Sequence, residues 1–284
     1  MYPILEREVL APSTYLYVLK ATDLSRACQP GQFVIVRLRK GGERIPLTIA
    51  DFDRERGTIT LVVKVIGKTT AEMATFERGS FLLDCVGPLG QPTEVLPLNH
   101  VVLVGGGLGV APLFPILRGF HEAGSCLTTI LGFRSKKDAF WEGKFTRFSD
   151  RLLLMTEDGS SGEKGTTVDG LRDLVDKSPI DRVITIGPLA MMQAIAEVTR
   201  PWKITTIASI NPIMVDGIGM CGSCRVRMGE QVLFACVDGP DMDAHQVDFE
   251  ELKIRQCRFQ VEEREAYRRY QEDCGLRQKG MLSS

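Results

Sequence analysis

Over the first third of the chain, apolar residues fall in short runs rich in β-branched and aromatic side chains. Each run is closed by glycine, proline or charge. TYLYVLKA (14–21), GQFVIVRLR (31–39) and TITLVVKVIG (58–67) read as strands, and their spacing predicts a small antiparallel β-barrel over residues 1–96. The period then changes. HVVLVGGGLGVAPLFPILRGFHEAG (100–124) is a short apolar strand, Val101–Val104, then a glycine turn, then a helix-like pattern from near Pro112. CLTTILGF (126–133), RLLLMTED (151–158) and DRVITIGP (181–188) are further buried strands, separated by helical stretches such as TVDGLRDLVDK (167–177). Strands alternating with helices predict a doubly wound α/β domain over residues 97–208. A cysteine-bearing segment (209–248) and a highly charged helical tail (249–284) complete the chain.

Composition narrows the class. The 284 residues exceed what one small core organises, and 44% hydrophobic with 25% charged residues is ordinary for a globular protein. A net charge of −1 gives no basic field, which argues against nucleic acid as a partner. The N-terminus MYPILEREVL carries charges where a signal peptide needs an apolar stretch, and no run approaches the ~18 apolar residues of a membrane span. A cytoplasmic protein with no membrane partner is expected. Eight cysteines fit a reducing compartment; Cys28, Cys85, Cys126, Cys257 and Cys274 are scattered, with buried hydrophobe as the default reading.

The remaining three cysteines lie in DGIGMCGSCRVRMGEQVLFACVDGP (216–240). Plant-type [2Fe–2S] loops follow C-x4-C-x2-C with a distant fourth cysteine. Here the order is Asp216-x4-Cys221-x2-Cys224, then eleven residues to Cys236, so a carboxylate stands in the first position. Gly217, Gly219 and Gly222 let backbone N–H groups approach sulfur. Structural zinc, or three buried hydrophobes, is the competing reading. Zinc usually takes paired knuckles or histidine, and His245 lies outside the loop. Asp238, Asp241 and Cys257 compete with Asp216 for the fourth position.

Gly105, Gly106, Gly107 and Gly109 follow the strand at Val101–Val104 and suit a phosphate held at a helix N-terminus. The dinucleotide fingerprint also requires a further glycine and an acid after the next strand. That strand instead ends Gly132-Phe133-Arg134, which disfavours an ordinary Rossmann dehydrogenase. Alone, the turn reads equally as a tight strand–helix junction.

Taken in order, the barrel with RIPLTIAD (44–51), the GGGLGVAP turn (105–112) and the cysteine loop resemble the ferredoxin reductase superfamily over about the first 250 residues. Within it, the match is to the group with a C-terminal [2Fe–2S] segment. That group includes the electron-transfer subunit of dihydroorotate dehydrogenase and the small subunit of NADH-dependent ferredoxin:NADP oxidoreductase, also described as sulfide dehydrogenase. Dihydroorotate-type subunits typically have four cysteines and an Arg-Pro-Leu-Ser-like motif. Asp216 and RIPLT make this chain more similar to the bifurcating oxidoreductase's small subunit.

The resemblance implies an FAD site at Pro46, Leu47 and Thr48 against the isoalloxazine, with Val62, Val63 and Lys64 as the strand beneath it. The superfamily usually has arginine directly before the tripeptide; here Ile45 stands there and Arg44 is one residue earlier. Gly67, Thr69 and Thr70 match the pyrophosphate turn, where N–H groups, hydroxyls and the Lys68 cation suit phosphate oxygens. For the nicotinamide nucleotide it implies Gly106, Gly107, Gly109, Arg134, Asp158, Gly187, Pro188 and Met191. Arg134, Lys136 and Lys137 would suit a 2′-phosphate, but the superfamily's NADH users share the Gly-x-Arg pattern, and NAD(H) is favoured. As metal ligands it implies Asp216, Cys221, Cys224 and Cys236. A hydride carries two electrons and the cluster takes one at a time, so FAD belongs between them. No acid–base pair or nucleophile is needed, and no catalytic side chain is assigned. The implied partner is a larger flavin and [4Fe–4S] subunit, reaching ferredoxin and NADPH. The alternatives are the electron-transfer subunit of dihydroorotate dehydrogenase and a redox-inactive scaffold.

Overall fold

The computed structural model describes residues 1–278. The N-terminal unit is a seven-stranded antiparallel sheet of β1 (Tyr2–Ala11), β2 (Thr14–Lys20), β3 (Phe33–Arg37), β4 (Arg44–Asp53), β5 (Thr58–Lys64), β6 (Phe81–Leu82) and β7 (Asp84–Leu89). Its order is β6-β1-β2-β5-β4-β3-β7. Only Leu83 separates β6 from β7, so one stretch pairs with β1 on one side and β3 on the other, and the sheet nearly closes. Period-two alternation sets its two faces. Tyr17, Leu19, Ile59, Leu61 and Val63 fill the barrel, while Leu16, Val18 and Val62 point out into a second core. The buried Tyr17 hydroxyl donates to the Met73 carbonyl at 2.8 Å, so its burial leaves no unpaired donor. Two short helices, α1 (Thr22–Ala27) and α2 (Lys68–Met73), connect these strands.

The second sheet holds β8 (His100–Gly106), β9 (Cys126–Phe133), β10 (Arg151–Thr156), β11 (Glu163–Lys164), β12 (Arg182–Ile186) and β13 (Thr205–Ser209), all parallel. Helices α3 (Val110–Glu122), α4 (Glu142–Thr146), α5 (Thr167–Val175) and α6 (Leu189–Thr199) connect them. The ribbon of β14 (Arg225–Met228) and β15 (Gln231–Phe234) follows, then β16 (Asp241–Asp243), which closes the sheet antiparallel to β13. The order β11-β10-β9-β8-β12-β13-β16 shows the chain winding outward from β8 and returning at β12. The expected barrel and doubly wound sheet are both present.

The structure departs from the sequence reading in four places. The helix after the glycine turn starts at Val110, two residues before Pro112, because proline in a first turn sacrifices no helical hydrogen bond. The charged N-terminal stretch is itself strand β1, whose Glu6 and Glu8 face outward while Ile4 is buried. Cys28 and Cys85 are buried, and burial pushes them up to about 11 and about 12, but Cys126 and Cys257 are exposed. The charged tail is two helices, α7 (Phe249–Gln256) and α8 (Gln260–Gln278). Helix α7 buries Phe249 and Leu252 against the cysteine segment, and α8 contacts α2. Residues 279–284 of the expected tail lie outside the described residues. Among the described residues, no helix is long and apolar enough to cross a membrane.

Candidate functional site

Strand β4 presents the tripeptide expected to line the flavin. Pro46, Leu47 and Thr48 pair with Ile35, Val34 and Phe33 of β3 and are half-buried along one edge of the barrel. Arg44 is exposed at the strand's start, opposite Arg37. Val62 and Val63 are buried in two different cores and Lys64 is exposed, so the two valines leave mainly backbone for a ligand.

The turn after β5 is built around anion-binding groups. The Thr70 hydroxyl accepts from Ile66 N at 3.0 Å and Gly67 N at 3.1 Å, fixing the turn at the start of α2. The Thr69 hydroxyl donates to the Glu43 carboxylate, and Lys68 Nζ lies 3.5 Å from the same carboxylate. An anionic oxygen therefore already sits on the hydroxyl and cation that a pyrophosphate would use, and the turn fits that group. Glu43 escaped sequence reasoning because its partners are about 25 residues away, with no periodic signal to link them.

The residues expected to contact the nucleotide converge at the carboxyl ends of β8 and β12, where the winding direction reverses and α/β sheets open a crevice. Gly105 pairs with Ile186 across these strands. A Cβ on Gly106 would stand 2.4 Å from Met191 Sδ, one on Gly187 would be 2.6 Å from Met191 Cε, and Pro188 Cδ borders Gly106. A Cβ on Gly109 would collide with the Ile186 carbonyl at 2.2 Å, so the turn has room only for glycine there. Gly107 has φ +55° and nothing within 4 Å of its would-be Cβ, leaving its backbone open to a ligand. Arg134 and Asp158 lie at the neighbouring ends of β9 and β10, joined through Asp158 N to Arg134 O at 3.2 Å. The Ser160 hydroxyl and N–H hold the Asp158 carboxyl below its ordinary range.

The cysteine loop organises itself in pairs. Cys224 and Cys236 are buried with sulfurs 3.2 Å apart. Asp216 Oδ2 accepts from Cys221 N at 2.6 Å and Oδ1 from Ile218 N at 3.0 Å. These N–H groups, Ile218 foremost, hold Asp216 below its ordinary range. The Ser223 hydroxyl lowers exposed Cys221, whereas burial pushes Cys236 up to about 12. Among the described residues, no three His, Cys, Asp or Glu side chains are placed to share one metal ion. The candidate donors stand two and two. The other carboxylates are committed elsewhere: Asp238 accepts from Phe234 N at 2.6 Å, and half-buried Asp241 accepts from Thr93 Oγ1 at 2.5 Å.

One apolar core touches all three regions. Phe33 and Ile35 of β3, Leu189 and Met192 of α6, and Cys224 and Cys236 belong to the same contiguous cluster.

Residues 211–248 match the model of the iron-sulfur cluster binding domain of dihydroorotate dehydrogenase B. Over 272 residues the chain is 41% identical to the Thermotoga maritima dihydroorotate dehydrogenase B (NAD(+)), electron transfer subunit homolog, covering 96% of each. The chain belongs to the dihydroorotate dehydrogenase B electron-transfer subunit family. The Fusobacterium nucleatum electron transfer subunit of that family is 31% identical over 86% of this chain and 96% of its own length. A solved structure of an NADH-dependent reduced ferredoxin–NADP oxidoreductase, described for flavin-based electron bifurcation, contains a chain that superposes with a TM-score of 0.90. It is 40% identical, covering 95% of this family member and 98% of that chain. The phthalate dioxygenase reductase structure, at 16% identity and a TM-score of 0.57, shares the fold. This family member is thus an oxidoreductase-type electron-transfer subunit with a ferredoxin reductase fold.

Proposed function

We propose that this chain exchanges hydride with NAD(H) at an FAD and single electrons through a [2Fe–2S] cluster with a larger partner. The observation that carries this reading is the single core running from β3, behind the flavin tripeptide, through α6, behind the nucleotide turn, to Cys224 and Cys236. One close-packed core backs the three candidate sites, which suits relay between fixed centres. FAD supplies the conversion between two-electron and one-electron chemistry. Pro46, Leu47 and Thr48 line it, Thr69 and Lys68 exchange the Glu43 carboxylate for its pyrophosphate, and Gly106, Gly107 and Met191 seat the nicotinamide nucleotide. Asp216 with Cys221, and Cys224 with Cys236, supply the two donor pairs that two irons require.

Val215, Ile218, Met220 and Val237 are exposed around exposed Cys221, Met220 to 83%. Apolar exposure beside a redox centre suits a covering partner. Asp216, with the 40% identity to a chain of the reduced ferredoxin–NADP oxidoreductase, favours an electron-bifurcating complex whose large subunit handles NADPH and ferredoxin. The relatives named as dihydroorotate dehydrogenase B subunits favour a second reading, in which the partner oxidises dihydroorotate. Co-purification with the native large subunit separates the two. NADPH-driven reduction of both ferredoxin and NAD+ supports the first; dihydroorotate-driven reduction of NAD+ supports the second; neither activity in a fully loaded complex refutes both.

A further inference from the structure

Helix α7 begins one residue beyond the matched iron-sulfur domain, yet it packs as a wall of that domain through buried Phe249 and Leu252. From this wall Arg255 reaches into the cysteine loop. One of its terminal nitrogens donates to the Ser223 carbonyl at 2.9 Å, inside the Cys221–Cys224 knuckle. Its Nε is buried and has no hydrogen-bond partner among the described residues. Among the described residues no carboxylate forms an ion pair with it, and the Glu251 charge acts on it only at a distance. Glu251, one turn earlier on α7, pairs instead with Arg227 at 2.7 Å. Burial foremost, then the like charges of Arg225 and Arg258, depresses Arg255, so three cations lie within electrostatic reach of one another. Such a gathering is unfavourable unless an anion faces it.

We propose that Arg255 sets the reduction potential of the cluster, its guanidinium stabilising the added negative charge of the one-electron-reduced state while its bond to Ser223 holds the knuckle. Four anionic donors and two sulfides leave the cluster net negative, and one accepted electron makes it more so without breaking a bond or moving a proton. A nearby fixed cation favours the reduced state, since net charge and hydrogen bonding near the sulfurs tune such centres. This inference rests on the iron-sulfur reading above.

The test is a potentiometric titration of the full reconstituted chain, followed by paramagnetic resonance, after iron, sulfide and FAD have been quantified. Arg255→Gln keeps a donor for Ser223 but removes the charge; Arg255→Lys keeps the charge. Arg255→Gln should lower the cluster potential by about tenfold in the one-electron equilibrium constant, ~59 mV, with the flavin potential unchanged. Arg255→Lys should stay near wild type. Equal potentials in wild type and a fully loaded Arg255→Gln would overturn the proposal, as would a Lys variant that falls as far as Gln. If Arg255→Gln does not retain iron, Arg258→Gln replaces it; that exposed cation should produce a smaller shift of the same sign, and no shift would overturn the electrostatic account. A wild-type chain that takes up no iron and sulfide refutes the iron-sulfur reading itself.

Discussion

Gly217 lies directly against Ile35: a Cβ at Gly217 would stand 2.9 Å from Ile35 Cγ1 and equally close to Leu89 Cδ1. Ile35 in turn pairs with Pro46 of the proposed flavin tripeptide. A single side chain therefore separates the start of the cysteine loop from the strand proposed to carry the isoalloxazine. Gly217 also has φ +75°, where a side chain costs about 1–2 kcal/mol before any clash is counted. Gly217→Val should displace the loop, lowering iron content and slowing cluster reduction by the flavin. Metal analysis and stopped-flow absorbance would show this; wild-type iron content and rates would mean the contact is incidental.

Asp216 caps its own loop through Ile218 and Cys221 N–H groups, so as a ligand it would be pre-oriented by the chain that it closes. Asp216→Cys should keep two irons and shift both the potential and the paramagnetic resonance spectrum. Asp216→Ala should make the cluster labile. Wild-type spectra and potentials in both variants would make Asp216 a loop-capping residue alone.

Glu43 competes with the proposed pyrophosphate for Thr69 and Lys68. The ion pair is partly exposed, worth ~0.2–1 kcal/mol, so Glu43→Gln should tighten FAD binding by up to about fivefold. Thr69→Ala should weaken it. Flavin fluorescence titration reads both; weaker binding in Glu43→Gln would place Glu43 among the ligands instead.

Asp241 is half-buried, and its enclosed Oδ1 has no partner among the described residues; burial raises its pKa. The folded chain thus holds a proton that the unfolded chain releases from about pH 4 upward, and stability falls as pH rises through that window. Asp241→Asn removes this loss. The variant should gain melting temperature relative to wild type at pH 8 and gain less at pH 5. Equal differences at both pH values would mean that Asp241 is ionised in the fold.

Much of this architecture was legible in the chain because burial imposes period. The strands at 14–20, 58–64 and 126–133 and the helix at 167–175 announce themselves by what they hide. Strand β1 was not legible, because outward Glu6 and Glu8, with the half-buried Arg7 between them, mask the alternation. The cysteine spacing marked its loop, since ligand geometry constrains sequence separation. Long-range polar contacts left no such trace: Thr69 with Glu43, and Arg255 with Ser223, join residues whose separation carries no period. The same holds for α7, where only the i,i+3 pair Phe249 and Leu252 hinted that part of the charged tail belongs to a core.

Helix α8 carries charges in internal pairs, Glu265 with Arg268 and Arg269, and contacts α2 beside the proposed pyrophosphate turn. Truncation after Arg258 should therefore weaken FAD retention while leaving cluster content intact. Gel filtration with flavin and iron analysis distinguishes this from a role in partner docking, for which co-purification with the large subunit would fall and FAD would stay.

The relay of electrons from nicotinamide through flavin to the cysteine loop within this one chain is most directly tested by freeze-quench paramagnetic resonance. The anaerobic, FAD- and iron-loaded full chain is mixed with NADH and sampled over milliseconds to seconds. Loss of oxidised-flavin absorbance followed by the signal of a one-electron-reduced [2Fe–2S] cluster is the expected result. A flavin that bleaches while a fully loaded cluster stays oxidised, at potentials that permit its reduction, would contradict the account.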